Sequence, residues 1–209
     1  MASRCDHPLF ARFWPWLGTR LDRKGGSAHR DELVAGLSGT VVEVGCGDGR
    51  QFAHYPDAVS EVIAVEPERH LRERAAAHAA QAPVPVRVID GLAGELPVED
   101  AAADAAVCAL VLCSVPDQDA ALADLFRVLR PGGELRFYEH VVAEQPVGRA
   151  VQGGLDRTGI WPYFAAGCHV SRDTRAAIER AGFTIETVRR FTFPRPGMPH
   201  LLGTARRAA

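Results

Sequence analysis

Between residues 40 and 142 the hydrophobic positions gather into short runs. Thr40 to Cys46, Glu61 to Val65, Val84 to Ile89, Ala103 to Leu112 and Glu134 to Val142 each read as a buried strand. Between them, Glu68 to Gln81 is rich in Ala, Arg and Glu, a helix composition. Asp119 to Leu129 puts Leu122, Leu125, Phe126 and Leu129 on one helical face, and Arg130-Pro131-Gly132-Gly133 stops it. Strands this rich in apolar residues, separated by amphipathic helices, predict an α/β fold with a parallel sheet covered on both faces.

The two ends read differently. Phe10, Phe13, Trp14 and Trp16 cluster ahead of the polar stretch Gly25-Gly26-Ser27, which predicts helical pieces around a flexible connection. Arg30 to Leu37 reads as a short helix closed by Ser38-Gly39. Near the other end, Ser171 to Ala181 reads as a helix capped by Ser171 and stopped by Gly182. The strands Phe183 to Arg190 and His200 to Ala205 follow it. The loop joining those strands is too short for a parallel crossover, so one of them runs antiparallel.

Composition narrows the picture by exclusion. The 209 residues carry 24 Lys+Arg against 26 Asp+Glu, a formal net charge of -2. A protein that neutralises many phosphates shows a basic excess or stripe, so no nucleic-acid partner is expected. The cysteines Cys5, Cys46, Cys108, Cys113 and Cys168 are odd in number and form no CxxC pair. Neither a disulfide framework nor a metal site is expected from that spacing, which suits a reducing, cytoplasmic location. Residues 1–8 lead into no long apolar run, and Ala105 to Val115 is too short to span a bilayer. No signal peptide and no integral membrane segment are therefore expected.

The chemistry concentrates where the first strand ends. Val41-Val42-Glu43-Val44 runs directly into Gly45-Cys46-Gly47-Asp48-Gly49, a tight turn that lets a ligand approach bare backbone. Ligands of open α/β sheets bind beyond the carboxyl ends of the strands. Glu66 stands at the end of the second strand, where an acidic side chain can accept both hydroxyl hydrogens of a ribose. A dinucleotide fingerprint starting at Gly45 requires Gly or Ala at position 50; Arg50 stands there. That departure weighs against an NAD-dependent oxidoreductase, the main alternative.

Glu43-Val-Gly-Cys-Gly-Asp-Gly49, Val65-Glu66-Pro67, Leu96-Pro97, Asp104-Ala-Ala-Val107 and Leu129-Arg-Pro-Gly-Gly133 follow one another in that order. The succession resembles the motifs of class I S-adenosylmethionine (SAM)-dependent methyltransferases that act on small molecules. Leu110-Val-Leu-Cys-Ser-Val115, Tyr138-Glu-His-Val141 and Gly167-Cys168 are further similar to the animal alkyl-thiol S-methyltransferases and their bacterial relatives. The resemblance implies a Rossmann-like, seven-stranded, mostly parallel sheet with one antiparallel strand, helices on both faces and an N-terminal helical lid. It implies a single domain: 1–37 as the lid segment, 38–142 as the SAM-binding core, 143–170 as an acceptor-side insertion and 171–209 as the closing helix and strands.

It also implies roles by position. Glu43, Gly45, Cys46 and Gly47 would face the methionine end of SAM, Glu66 would hold the ribose hydroxyls and Pro67 would lie against the adenine. Gly91, Leu92 and Ala93 would contact the adenine ring, and Ala109 and Leu110 would lie beside the sulfonium. Many relatives have Asp where Leu92 stands, which implies main-chain contacts on that side.

Methyl transfer needs alignment and, for some acceptors, removal of a proton. His140, following the fifth strand, is the candidate base. Glu139 reads as a group that steers a cation or bonds a loop. Cys168-His169 reads as a pocket-lining loop, and Cys108 and Cys113 as inert core thiols. Phe10, Phe13, Trp14 and Trp16, with Trp161, Tyr163 and Phe164, are candidates for a cover over an apolar acceptor. The expected activity is methyl transfer to a small acceptor through S, O or C; a SAM-binding module without catalysis is the other alternative.

Overall fold

The structure, a computed structural model, describes residues 8–194 and 197–208. Cys5 and the rest of 1–7, for which no leader is expected, lie outside the described residues. Helix α1 (Pro8–Leu21) passes through a kink at Asp22–Gly26, where Gly25 has φ 111°, into α2 (Ser27–Val34). Then follow β1 (Gly39–Val44), a 3₁₀ turn at Arg50–His54, β2 (Val59–Val65), α3 (Arg69–Ala79) and β3 (Val86–Ile89). The chain continues through β4 (Ala103–Ala109), α4 (Gln118–Val128), β5 (Leu129–His140), α5 (Pro146–Thr158) and α6 (Ile160–Phe164). It closes with α7 (Thr174–Arg180), β6 (Phe183–Phe193) and β7 (Met198–Arg207).

The seven strands form one sheet in the order β3-β2-β1-β4-β5-β7-β6. Pairings from β3 to β5 are parallel, and β7 runs antiparallel to both β5 and β6, so one strand is reversed as expected. Because the strands are apolar on both sides, each supplies two cores. Val42, Val44, Ile63 and Val65 pack with Leu122 and Leu125 of α4 and Ile178 of α7. Val41, Val62 and Ala64 pack on the other face with Leu33 and Val34 of α2, Phe52, and Ala75 of α3.

Two local expectations are corrected. The fourth strand ends at Ala109, not Leu112, because Leu110 turns into the left-handed region at φ 62° and its N–H donates to the Tyr138 carbonyl at 2.7 Å. Helix α7 is capped by Asp173, whose carboxylate accepts from the Ala176 N–H at 3.1 Å; Ser171 is instead tied to Asp156. The segment after Gly49 makes one 3₁₀ turn, and Phe52 and Tyr55 close the sheet face beneath it.

Candidate functional site

The glycine turn sits between the ends of β1 and β2. Gly45, Gly47 and Gly49 have φ of 65°, 58° and 82°, a region that disfavours side chains. A Cβ on Gly45 would lie 2.6 Å from Val111 Cγ2, so this residue is also a close packing contact with the loop after β4. A Cβ on Gly47 would meet only the Trp14 indole nitrogen, at 3.5 Å. The turn thus presents bare backbone beneath a tryptophan of α1.

Glu66, at the end of β2, braces this turn. The Gly47 N–H donates to its Oε2 at 2.8 Å and the Glu68 N–H to its Oε1 at 2.9 Å. Each oxygen keeps a lone pair, as two ribose hydroxyls require. Burial pushes its carboxyl up to about 7, against those backbone hydrogen bonds. Glu43 is held beneath the turn: it is buried and accepts from the Tyr55 hydroxyl at 2.8 Å, and burial pushes it up to about 8. Cys46 is buried beside it, its thiol pushed well up by burial and by Glu43. Pro67 follows Glu66, with its carbonyl accepting from Arg72 at 3.0 Å.

Gly91, Leu92 and Ala93 form the loop after β3. A Cβ on Gly91 would lie 2.7 Å from Pro97 Cδ and 2.8 Å from Val65 Cγ1, which brings this loop tight against the β2 end. The Glu95 N–H donates to the Leu92 carbonyl at 3.1 Å, closing the loop on itself. Ala109 and Leu110 end β4 beside Val111, the residue that abuts Gly45. The predicted cofactor residues therefore belong to adjacent ends of β1, β2, β3 and β4. An acidic acceptor for a diol and a side-chain-free turn suit a ribose and an amino-acid chain, so the set fits SAM.

Glu139 bonds a loop. It is fully buried; the Val111 and Leu112 N–H groups donate to its Oε1 at 2.9 Å each, and the Cys113 N–H to its Oε2 at 3.1 Å. Burial pushes its carboxyl up and these bonds oppose that rise. The loop carrying the left-handed Leu110 is thus clamped from β5, and Cys113 is held in a buried cluster with Cys168 and Val170.

Sequence spacing did not reveal what Cys113 meets there. Its Sγ lies 3.6 Å from Cys168 Sγ, and His140 Nδ1 lies 3.7 Å from the first sulfur and 3.5 Å from the second. Cys113 is buried, as an inert core thiol would be, but its neighbours are reactive groups. Of the two thiols Cys168 ionises first. It is pushed down to about 5 by its hydrogen bond with Cys113 and by the facing His140, while Cys113 is pushed well up by the same bond and by burial. Cys108, by contrast, is a fully buried core residue. Behind His140 stands His200, with ring centroids 4.4 Å apart. Burial and His140 push His200 down to about 3, and its Nδ1 lies 2.8 Å from the Met198 carbonyl oxygen.

The position that broke the dinucleotide pattern has a structural use. Arg50 pairs with Asp48 of the turn at 3.0 Å and Asp22 at 3.1 Å, and also donates to the Pro15 carbonyl of α1. It fastens the N-terminal helices to the turn. Of the candidate cover aromatics, Trp14 faces Gly47 and Trp161 packs on the Cys113 and Cys168 cluster. Phe13, Trp16, Tyr163 and Phe164 are more than half exposed. Two surface cavities, of about 250 and 370 Å³, lie elsewhere. One is at the opposite end of β1 and β4 around Asp104 and Arg130, the other around Arg175 and Arg190. Among the described residues no helix is long and apolar enough to cross a membrane.

Comparison with known proteins agrees with this geometry. Residues 42–137 match the family described as Methyltransferase domain. The thiol S-methyltransferase TMT1B of Mus musculus is 33% identical over 219 residues, covering 96% of this chain and 88% of that protein. The thiol S-methyltransferase TMT1A of Homo sapiens is 35% identical over 156 residues, covering 72% of this chain and 63% of that protein. A crystal structure of a SAM-dependent methyltransferase from Thermotoga maritima superposes with a TM-score of 0.71 at 22% identity, covering 97% of this chain and 99% of that one. With its motif order, sheet topology and glycine turn in agreement, the chain belongs to the class I SAM-dependent methyltransferases.

Proposed function

We propose that the methyl acceptor is the sulfur of a small alkyl thiol. The observation that carries the reading is the likeness to thiol S-methyltransferases, which runs through nearly the whole chain, beyond the cofactor core, at 96% coverage. It includes the segments that supply Cys113, His140 and Cys168 at the acceptor end.

SAM supplies a methyl group on a sulfonium, which the acceptor displaces in line. The chain's own residues divide the rest of the work. Glu43, Gly45, Cys46, Gly47, Glu66 and Pro67, with Gly91, Leu92 and Ala93, hold and orient the donor, and Ala109 and Leu110 line the reacting end. His140 is the side chain we place at the acceptor, where a thiol must lose its proton to become a good nucleophile. Trp14 and Trp161 form parts of a cover that excludes water from the transfer and favours an apolar acceptor.

On this reading α1 and α2 serve as the lid segment, 38–142 as the donor half, and 143–170 as the acceptor side of one domain. A cytoplasmic setting goes with it, since the described cysteines are all free. The test is turnover of purified protein with SAM against a panel of alkyl thiols, phenols and quinols. Methyl thioether and S-adenosylhomocysteine should accumulate together with the thiols. Turnover confined to phenols or quinols refutes the reading.

A further inference from the structure

We infer that Cys113, His140 and Cys168 form a three-ligand site for a zinc-type divalent ion whose fourth position takes the acceptor sulfur. The second half of this statement rests on the thiol reading above; the first does not.

The spacing of the three donor atoms is the first ground. Zinc binds thiolate sulfur at about 2.3 Å and imidazole nitrogen at about 2.0–2.1 Å, with tetrahedral angles. Those lengths put two coordinated sulfurs about 3.8 Å apart, and a sulfur and a nitrogen about 3.6 Å apart. The structure has 3.6 Å between the sulfurs and 3.7 and 3.5 Å from each sulfur to His140 Nδ1. All three edges of one tetrahedral face are present. A disulfide needs about 2.05 Å between the sulfurs and gives the imidazole no part. Two thiolates and one imidazole favour zinc over the harder divalent ions.

The supports are the second ground. Metal ligands are held in place by groups behind them. Glu139 clamps the backbone at Cys113 through three N–H bonds. Asp156 of α5 does the same for the loop after Cys168, accepting from the N–H groups of Val170 at 3.1 Å and Ser171 at 2.9 Å. The two loops are joined by the His169 N–H, which donates to the Cys113 carbonyl at 2.7 Å. Gly167 lets them meet: its φ is 82°, and a Cβ there would lie 2.7 Å from the Ser114 carbonyl oxygen. Finally, the buried indole N–H of Trp161 has no hydrogen-bond partner, and its side chain packs on the Cys113 and Cys168 cluster.

Three protein ligands leave a tetrahedral ion one open position, the pattern of catalytic rather than structural zinc. An alkyl thiol entering that position binds through sulfur and releases its proton to solvent, since a coordinating thiol is deprotonated outright. The sulfur then needs no separate base, and His140 contributes as a ligand. Transfer moves the methyl group to that sulfur; the electron pair of the broken bond stays on the donor's sulfur, and the neutral thioether leaves the ion.

The test uses the full chain, purified without a metal-affinity tag. Elemental analysis should find close to one zinc per chain. Cys113→Ser and Cys168→Ser should each fall to about a tenth of that, and Cys108→Ala should keep it. Metal-free wild type titrated with Co²⁺ should develop thiolate-to-cobalt charge transfer and tetrahedral d–d bands at one equivalent. Butanethiol, added without SAM, should shift those bands, and butanol should not. Folded wild type with no zinc and no cobalt bands overturns the site, as does a mass lighter by two hydrogens with a Cys113–Cys168 link. Cobalt bands that butanethiol leaves unmoved overturn the acceptor role. Responsive bands without methylated thiol refute the thiol reading alone and leave the metal site standing.

Discussion

Replacing Glu139 with Gln tests whether the loop after β4 is held from β5. The substitution keeps shape and volume. The glutamine oxygen can still accept from Val111 and Leu112, at the strength of neutral bonds. Its amide nitrogen then faces the Cys113 N–H, donor against donor, where Oε2 now accepts at 3.1 Å. Hydrogen bonds to a charged acceptor contribute about 1.5–3 kcal/mol and neutral ones about 0.5–1.5, and an orphaned buried N–H costs about 1–3. Removing a carboxylate that burial disfavours offsets part of this loss. The net is about 2–4 kcal/mol, concentrated at residues 111–113. Hydrogen exchange read by residue should show these three amides exchanging about a hundredfold faster, with the β1 and β2 amides far less affected. Unchanged exchange at 111–113 in a folded variant would refute the clamp.

The two first glycines of the turn separate sterics from conformation. Gly45→Ala drives a Cβ to 2.6 Å from Val111 and should cost about 3 kcal/mol or more in urea denaturation, whereas Gly47→Ala should cost only about 1–2 for its positive φ; equal costs would contradict the packing described. Glu66 is raised from 4.5 to about 7, so if its ionised form holds the ribose, SAM affinity by calorimetry should rise about tenfold between pH 6 and 8. A flat profile counts against that role. Glu43, raised from 4.5 to about 8, keeps its proton when folded and loses it when unfolded. Its stabilising contribution is complete below 4.5 and fades as pH climbs through 8, so the denaturation midpoint of the SAM-free protein, taken relative to that of Glu43→Gln, should fall from pH 5 to 8. A difference that rises across that window contradicts the buried setting of Glu43. Arg50→Ala should unfasten α1 and expose Trp14, seen as a red-shifted tryptophan emission and faster proteolysis in the first 26 residues. Unaltered emission and cleavage would show that the tether is dispensable.

The core of the sheet could be read from the chain because its signals are local. Val41, Val42 and Val44 supply apolar side chains to both faces, and the glycines that end the strand sit next in sequence; Glu66 ends the next strand. The reversed strand followed from loop length alone. What escaped reading was assembled by tertiary contact. Cys113, His140 and Cys168 come from the loop after β4, the end of β5 and the loop before α7, so no linear motif joins them. The cap of α7 was misplaced because Ser171 and Asp173 both suit the role, and Asp156, from another helix, claims the serine. Arg50 was legible as a departure from a pattern, but its partners Asp22 and Pro15 were not.

The most direct measurement is a competition in one vessel. The chain is given SAM carrying a deuterated methyl group, with equimolar butanethiol, phenol and a quinol, and products are identified by mass spectrometry. The deuterated methyl should appear on the butanethiol sulfur, with S-adenosylhomocysteine formed in equal amount. Label on the phenol or quinol, with the thiol unmodified, would contradict a thiol acceptor.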